Sequence, residues 1–330
     1  MSVAAVPATC PDVGPPDDPV RDRFRGAIVG LAVGDALGAT VEFQPRGSFP
    51  PPLDLVGGGP FKLKPGEWTD DTSQALCLAE SLVERGGFNA GNCMSRLYRW
   101  MTQGHLSVNG KCFDIGTSAS ASLREFGRTG DPYQGRPDRD TNGALMRLAP
   151  VPLTYAGLPG EAIRYAELAT KMTHGGAETI AASRYLAGLL VGAACGAGHA
   201  ALFPPGALYV PCFDPQSWRN ALTDSVASVG RGEHPATPRA GFSALACLDA
   251  AIWAVRGAAD FESAVCRAVA LGEDSDTVGA VAGQLAGAIW GHRSIPQRWR
   301  DGVAWHDRIV ATADGLYALS GLGRDRGVVP

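Results

Sequence analysis

The 330-residue chain carries no Lys/Arg-rich block, and its 29 basic against 33 acidic residues give a net charge of −4. No basic field is offered to nucleic acid. No uncharged apolar stretch of about 18 residues occurs, so no segment reads as a membrane span. Met1 to Pro19 lacks the basic start and apolar run of a signal peptide and reads as a Pro/Asp-rich flexible tail. The eight cysteines include no CxxC pair, which excludes a zinc knuckle or a thioredoxin-like motif. Cys77, Cys195, Cys247 and Cys266 lie among Ala, Leu and Val and read as buried, reduced thiols of a cytoplasmic protein. The six histidines form no HExxH pair. There is no GxxxxGK[ST] phosphate cradle and no G-x-S-x-G elbow.

Strand-like alternation is also scarce. Most segments have helical spacing. Helices are predicted over 20–39, 71–85, 90–102, 116–126, 161–172, 178–192, 218–229, 243–255, 261–270 and 276–290. Asn142 to Leu148 reads as a helix start that Pro150 ends. Residues 45–66, 127–141 and 202–215 read as loops or connectors. With no linker dividing the chain, the expectation is one all-α, compact multi-helix domain over 21–320, with tails at 1–20 and 321–330.

What the chain has in excess is glycine, 43 residues, about double the usual share. Gly26, Gly30, Gly34 and Gly38 recur every four residues, and so do Gly279, Gly283, Gly287 and Gly291. Residues four apart share a helix face, so each of two helices carries a stripe without side chains. Glycine inside a helix costs about 1 kcal/mol against alanine. Close approach of another helix offsets that cost, so these glycines are expected to face neighbouring helices.

Two acidic clusters precede helices: Thr69-Asp70-Asp71-Thr72 and Glu273-Asp274-Ser275-Asp276-Thr277. Capping of first-turn N–H groups accounts for one Asp or Thr in each. It does not account for several adjacent carboxylates, which repel. Hard divalent cations favour such oxygen donors, and two ions fit if the clusters face one another.

Several segments, in order, resemble the ADP-ribosylglycohydrolase family. They are 26–38 (GAIVGLAVGDALG) followed by Glu42, 68–72 (WTDDT), 113–116 (FDIG), 142–150 (NGALMRLAP), Thr173-His174 and 272–280 (GEDSDTVGA). The set spans about residues 25–291. The resemblance implies an all-α fold with a dinuclear Mg²⁺ or Mn²⁺ site at helix N-termini, held by Thr69, Asp70, Asp71, Asp274, Asp276 and Thr277. It implies catalytic roles for Glu42 and Asp114, and a substrate pocket lined by Asn142, Gly143, Met146 and His174. Glu273 departs from the Gly or Asn more usual there, and its charge either tunes the site or points away.

The implied activity is hydrolysis of the N-glycosidic bond between ADP-ribose and a protein side chain, foremost arginine, releasing ADP-ribose. The alternatives are an ADP-ribose-binding or toxin-neutralising immunity protein, or a hydrolase of serine-linked or O-acetyl-ADP-ribose. The expected partners are an ADP-ribosylated protein and ADP-ribose, with neither nucleic acid nor membrane. The chain is expected to act as a cytoplasmic monomer.

Overall fold

In the computed structural model, residues 18–50, 54–209, 222–233 and 235–323 are described. They fold into helices: α1 (Pro19–Gly38), α2 (Asp70–Arg85), α3 (Ala90–Gln103), α4 (Thr117–Thr129), α5 (Pro150–Thr154), α6 (Pro159–Lys171), α7 (Ala177–Ala194), α8 (His199–Leu202), α9 (Asp224–Arg231), α10 (Ala244–Arg256), α11 (Phe261–Val269), α12 (Ser275–Trp290), α13 (Gln297–Gly302) and α14 (His306–Leu319). Among the described residues no strand forms; three isolated bridges tie loops together. No helix among them is long and apolar enough to cross a membrane.

The core is built around α1 and α12. Fourteen positions of α1, Phe24 and the run from Gly26 to Gly38, are buried. The two glycine stripes face each other in antiparallel register, pairing Gly26 with Gly287, Gly30 with Gly283 and Gly34 with Gly279. A Cβ on any of these six would sit closer than 3.0 Å to the opposing carbonyl oxygen. At the end of the stripe, Gly38 abuts Ser275 and Asp276, and Ser275 Oγ donates to Gly38 O at 2.9 Å. The packing therefore sets the N-terminus of α12 against the C-terminus of α1.

The helical expectation holds for most segments, and three readings from the sequence are corrected. Asn142 to Leu148 is not a regular helix: a 3-10 turn covers Asn142–Ala144. Pro150 begins a helix instead of ending one, because at the first position its missing N–H has no intrahelical partner to lose. Cys195 is exposed and Cys266 half-buried, unlike the buried Cys77 and Cys247. Cys195 lies one residue past the end of α7, where the core contact stops. The helix expected at 218–229 is described only as Asp224–Arg231; residues 218–221 lie outside the described set.

The chain beyond Trp290 also adds α14, for which no helix is predicted from sequence. Its apolar spacing is regular, with Ile309, Ala313, Leu316 and Tyr317 buried. Its start lacks a Ser, Thr, Asp or Asn cap: Trp305 occupies the N-cap at φ 61° with no side-chain cap bond.

Candidate active site

The site begins with α2. Its N-cap, Thr69, makes no side-chain capping bond. The cap comes from another helix. Asp35, fully buried in α1, accepts from Thr69 N at 2.8 Å, from Thr72 N at 3.0 Å and from Thr72 Oγ1 at 2.6 Å. One carboxylate thus satisfies two first-turn N–H groups of α2 and aims Asp70 and Asp71 inward. Thr69 Oγ1 reaches across to Asp276 Oδ2 at 3.3 Å. The second cluster is fixed by Asn142 Nδ2, which donates to Asp274 Oδ2 at 2.6 Å.

A short backbone clasp joins the segment after α1 to the turn before α12. Phe43 N donates to Glu273 O at 2.7 Å, and Glu273 N donates to Gln44 O at 2.8 Å. Phe43 and Glu273 both have positive φ, 63° and 53°. That conformation suits Gly or Asn, which explains why Glu is unusual at 273. The Glu273 carboxylate lies 3.6 Å from Arg239, with its side chain 42% exposed. Its charge is held at the rim and not in the buried centre.

These elements enclose a cavity of about 320 Å³. Glu42, Asp70, Asp114, Asp274, Asp276 and Thr277 line it on the acidic side; Asn142, Gly143, Met146 and His174 line it elsewhere. Of the residues singled out from sequence, Thr69 and Asp71 stand behind the wall, both fully buried. Carboxylate oxygens of Glu42, Asp114 and Asp276 lie within 4.8 Å of one another. The 127–141 segment, featureless in sequence, packs against His174 through backbone bonds from Gln134 and Gly135 to Met172 and Lys171 and from Gly175 to Arg136.

Burial pushes every carboxyl of this centre upward, and repulsion from neighbouring acids adds to it for all but Asp35. Burial comes first for each, followed by other acids for Glu42, which rises to about 10, and for Asp114, which rises to about 12. Asp70 and Asp71 rise well above the ordinary value for the same reasons. Asp274 is raised to about 7, and Asp276 and Asp35 to about 6, also by burial before all else.

The donor set fits hard cations. Asp71 Oδ1 and Oδ2, Asp276 Oδ1 and Glu42 Oε2 are buried without a hydrogen-bond partner. Buried polar atoms are normally paired, and carboxylate and hydroxyl oxygens are the donors Mg²⁺ and Mn²⁺ prefer.

A stability consequence follows from the raised acids. Their folded-state values exceed the ordinary Asp value of 3.8, so the folded cation-free chain binds more protons than the unfolded one. Its stability is therefore expected to fall as pH rises from about 4 to about 7, the range of those shifts. Thermal melts with chelator across that range check this. A melting temperature that climbs over the same interval would contradict it.

The fold and the site together define an all-α protein whose buried carboxylate centre opens into a cavity between helix N-termini. A family model described as ADP-ribosylglycohydrolase matches residues 16–326. ADP-ribosylarginine hydrolase Tri1 of Pseudomonas putida (strain GB-1) is 37% identical over 303 residues, covering 90% of this chain and 78% of that protein. Its namesake in Serratia proteamaculans (strain 568) is 34% identical over 311 residues, 92% of this chain and 81% of that one. ADP-ribosyl-[dinitrogen reductase] glycohydrolase of Rhodospirillum rubrum is 30% identical over 316 residues, 92% of this chain and 98% of that one. A solved structure described as an ADP-ribosylglycohydrolase-related protein complex matches with a TM-score of 0.79 and 42% identity, over 91% of this chain and 99% of that one. The chain belongs to the ADP-ribosylglycohydrolase family, and it is a hydrolase of glycosidic ADP-ribose linkages.

Two residues near the centre have no role assigned from sequence, Asp35 and Arg147. Both sit inside motifs of the family resemblance. Asp35 interrupts an otherwise apolar glycine helix, and that was a usable signal. Arg147 falls among apolar residues, where a charge is equally a signal.

Proposed function

We propose that this chain removes ADP-ribose from arginine side chains by hydrolysing the N-glycosidic bond, with two divalent cations, Mg²⁺ or Mn²⁺, in the acidic centre. The observation that carries this is the set of partnerless buried carboxylate oxygens on Asp71, Asp276 and Glu42 beside a cavity of a family member. The arginine acceptor follows from the two relatives named ADP-ribosylarginine hydrolase.

Thr69, Asp70, Asp71, Asp274, Asp276 and Thr277 would hold the cations, which supply Lewis acidity and a template for ribose hydroxyls. Asp35 fixes the first three through the backbone of α2, and Asn142 fixes Asp274. Glu42 and Asp114 line the cavity and share the acid and base work: the protonated one donates to the departing guanidine nitrogen, and the other, ionised once bound cations offset the neighbouring negative charge, accepts from the attacking water. The transition state is oxocarbenium-like, as in other glycosyl hydrolysis. Asn142, Gly143, Met146 and His174 shape the side that takes ADP-ribose.

The test is ADP-ribose release from a panel of arginine-linked, serine-linked and O-acetyl substrates with Mg²⁺ or Mn²⁺. Arginine-linked substrate is expected to be consumed fastest. Asp276→Asn is expected to abolish release yet keep the helical circular dichroism, and to raise the melting temperature of the cation-free protein by removing one repelling charge. No release from the arginine-linked substrate would sink the reading; loss of fold in Asp276→Asn would assign that residue a structural role.

A further inference from the structure

Among the described residues, Arg147 is the only buried Lys or Arg. Its guanidinium donates to Gln74 Oε1 and, at 2.5 Å, to Thr173 Oγ1. On one side Gln74 Nε2 donates to Asp70 Oδ2 at 2.5 Å. On the other side Thr173 Oγ1 lies 2.8 Å from His174 Nδ1, and His174 Nε2 lies 2.9 Å from Thr141 Oγ1. Thr141 Oγ1 then donates to Ser118 Oγ at 3.1 Å. Asp70, His174, Thr141 and Ser118 all line the cavity. The hydrogen-bond chain leaves the cavity wall at the acidic centre and returns to it at Ser118.

The chain has a direction, because an arginine only donates. Thr173 Oγ1 accepts from Arg147, so its single proton is left to point at His174 Nδ1. That nitrogen must then be the bare one, and Nε2 carries the proton. The opposite tautomer would leave the Thr173 hydroxyl proton without an acceptor in a buried place, which folded proteins avoid. His174 is held neutral as well. Burial, then the charges of Arg147 and Arg139, push its pKa down to about 3. With Nε2–H donating to Thr141, the Thr141 proton goes to Ser118, and the Ser118 proton is left over at the cavity wall.

We infer that Arg147 is a positioning residue that, through Thr173, locks His174 as the Nε2–H tautomer and so makes the Ser118 hydroxyl a donor to an anionic oxygen of the ligand. Only the ligand's identity rests on the proposed function; there the anionic oxygen is a phosphoryl oxygen of ADP-ribose. The same arginine steadies Asp70 through Gln74, so one buried group bears on both the acidic centre and the cavity wall at Ser118.

The readout is the nitrogen-15 spectrum of the imidazoles, assigned with His174→Gln. In the wild type His174 is expected to show a protonated Nε2 and a bare Nδ1. Thr173→Val, which keeps shape and removes the hydroxyl, is expected to give a mixed tautomer signal and about tenfold weaker ADP-ribose binding, the scale of one lost hydrogen bond. Thr173→Ser is expected to restore both. An Nδ1–H tautomer in the wild type overturns the inference, and so does a Thr173→Val protein with unchanged tautomer and affinity. If Thr173→Val does not fold, the wild-type spectrum still decides. A wild type that shows the Nε2–H tautomer but hydrolyses none of the panel defeats the proposed function and leaves this inference standing.

Discussion

Chelation of divalent cations with EDTA is expected to slow ADP-ribose release about a thousandfold, and added Mg²⁺ or Mn²⁺ to restore it. The magnitude follows from the several kcal/mol that bound cations supply to charge stabilisation, about 4 kcal/mol corresponding to about a thousandfold. The physical need is visible in the charge balance. Asp35, Glu42, Asp70, Asp71, Asp274 and Asp276 are all buried, and among the described residues one buried arginine opposes them. Without cations these acids resolve their repulsion by holding protons, and protonated carboxyls are poor ligands. Equal rates with and without chelator would remove the cations from the mechanism. A steady isothermal titration with Mn²⁺ gives the stoichiometry, for which two per chain is expected.

Gly34→Ala is expected to cost about 3 kcal/mol or more of stability, the upper range for forcing atoms into a packed interior. The added methyl would meet Gly279 O and the backbone of Ala280, and neither is a flexible side-chain end. Relief requires α1 and α12 to separate, and that would pull Asp35 from the first turn of α2. Activity is therefore expected to fall with stability. Gly160→Ala is the control: that glycine is exposed with nothing within 4 Å of an added Cβ. There the change is expected to stabilise by about 0.4–1 kcal/mol, through a smaller loss of chain entropy on folding. Denaturant melts of both variants check the pair of expectations. A neutral Gly34→Ala would show that the glycine contact is slack.

The site was legible in part. Helix N-terminal acids are local patterns, and they stand where the spacing puts them, at the starts of α2 and α12. Glu273 was ambiguous from sequence because its backbone conformation was hidden; a φ of 53° turns its carboxylate to Arg239. The segment 142–150 misled for a related reason. Its apolar spacing suggests a helix, but Asn142 is committed to Asp274, and Gln284 claims the carbonyl of Leu145 and the N–H of Ala149. Tertiary hydrogen bonds there replace helical ones.

From sequence alone came the helical class, the two glycine stripes and the two acid/hydroxyl clusters, because period and composition are properties of neighbouring residues. The tertiary structure decided that the stripes face each other, that Asp35 caps a helix other than its own, and that Arg147 ties Asp70 to His174. Those outcomes depend on which distant surfaces meet. A glycine stripe states that a helix permits close approach; only the packed chain shows that the partner is the other stripe, and that closing the two brings the acids together.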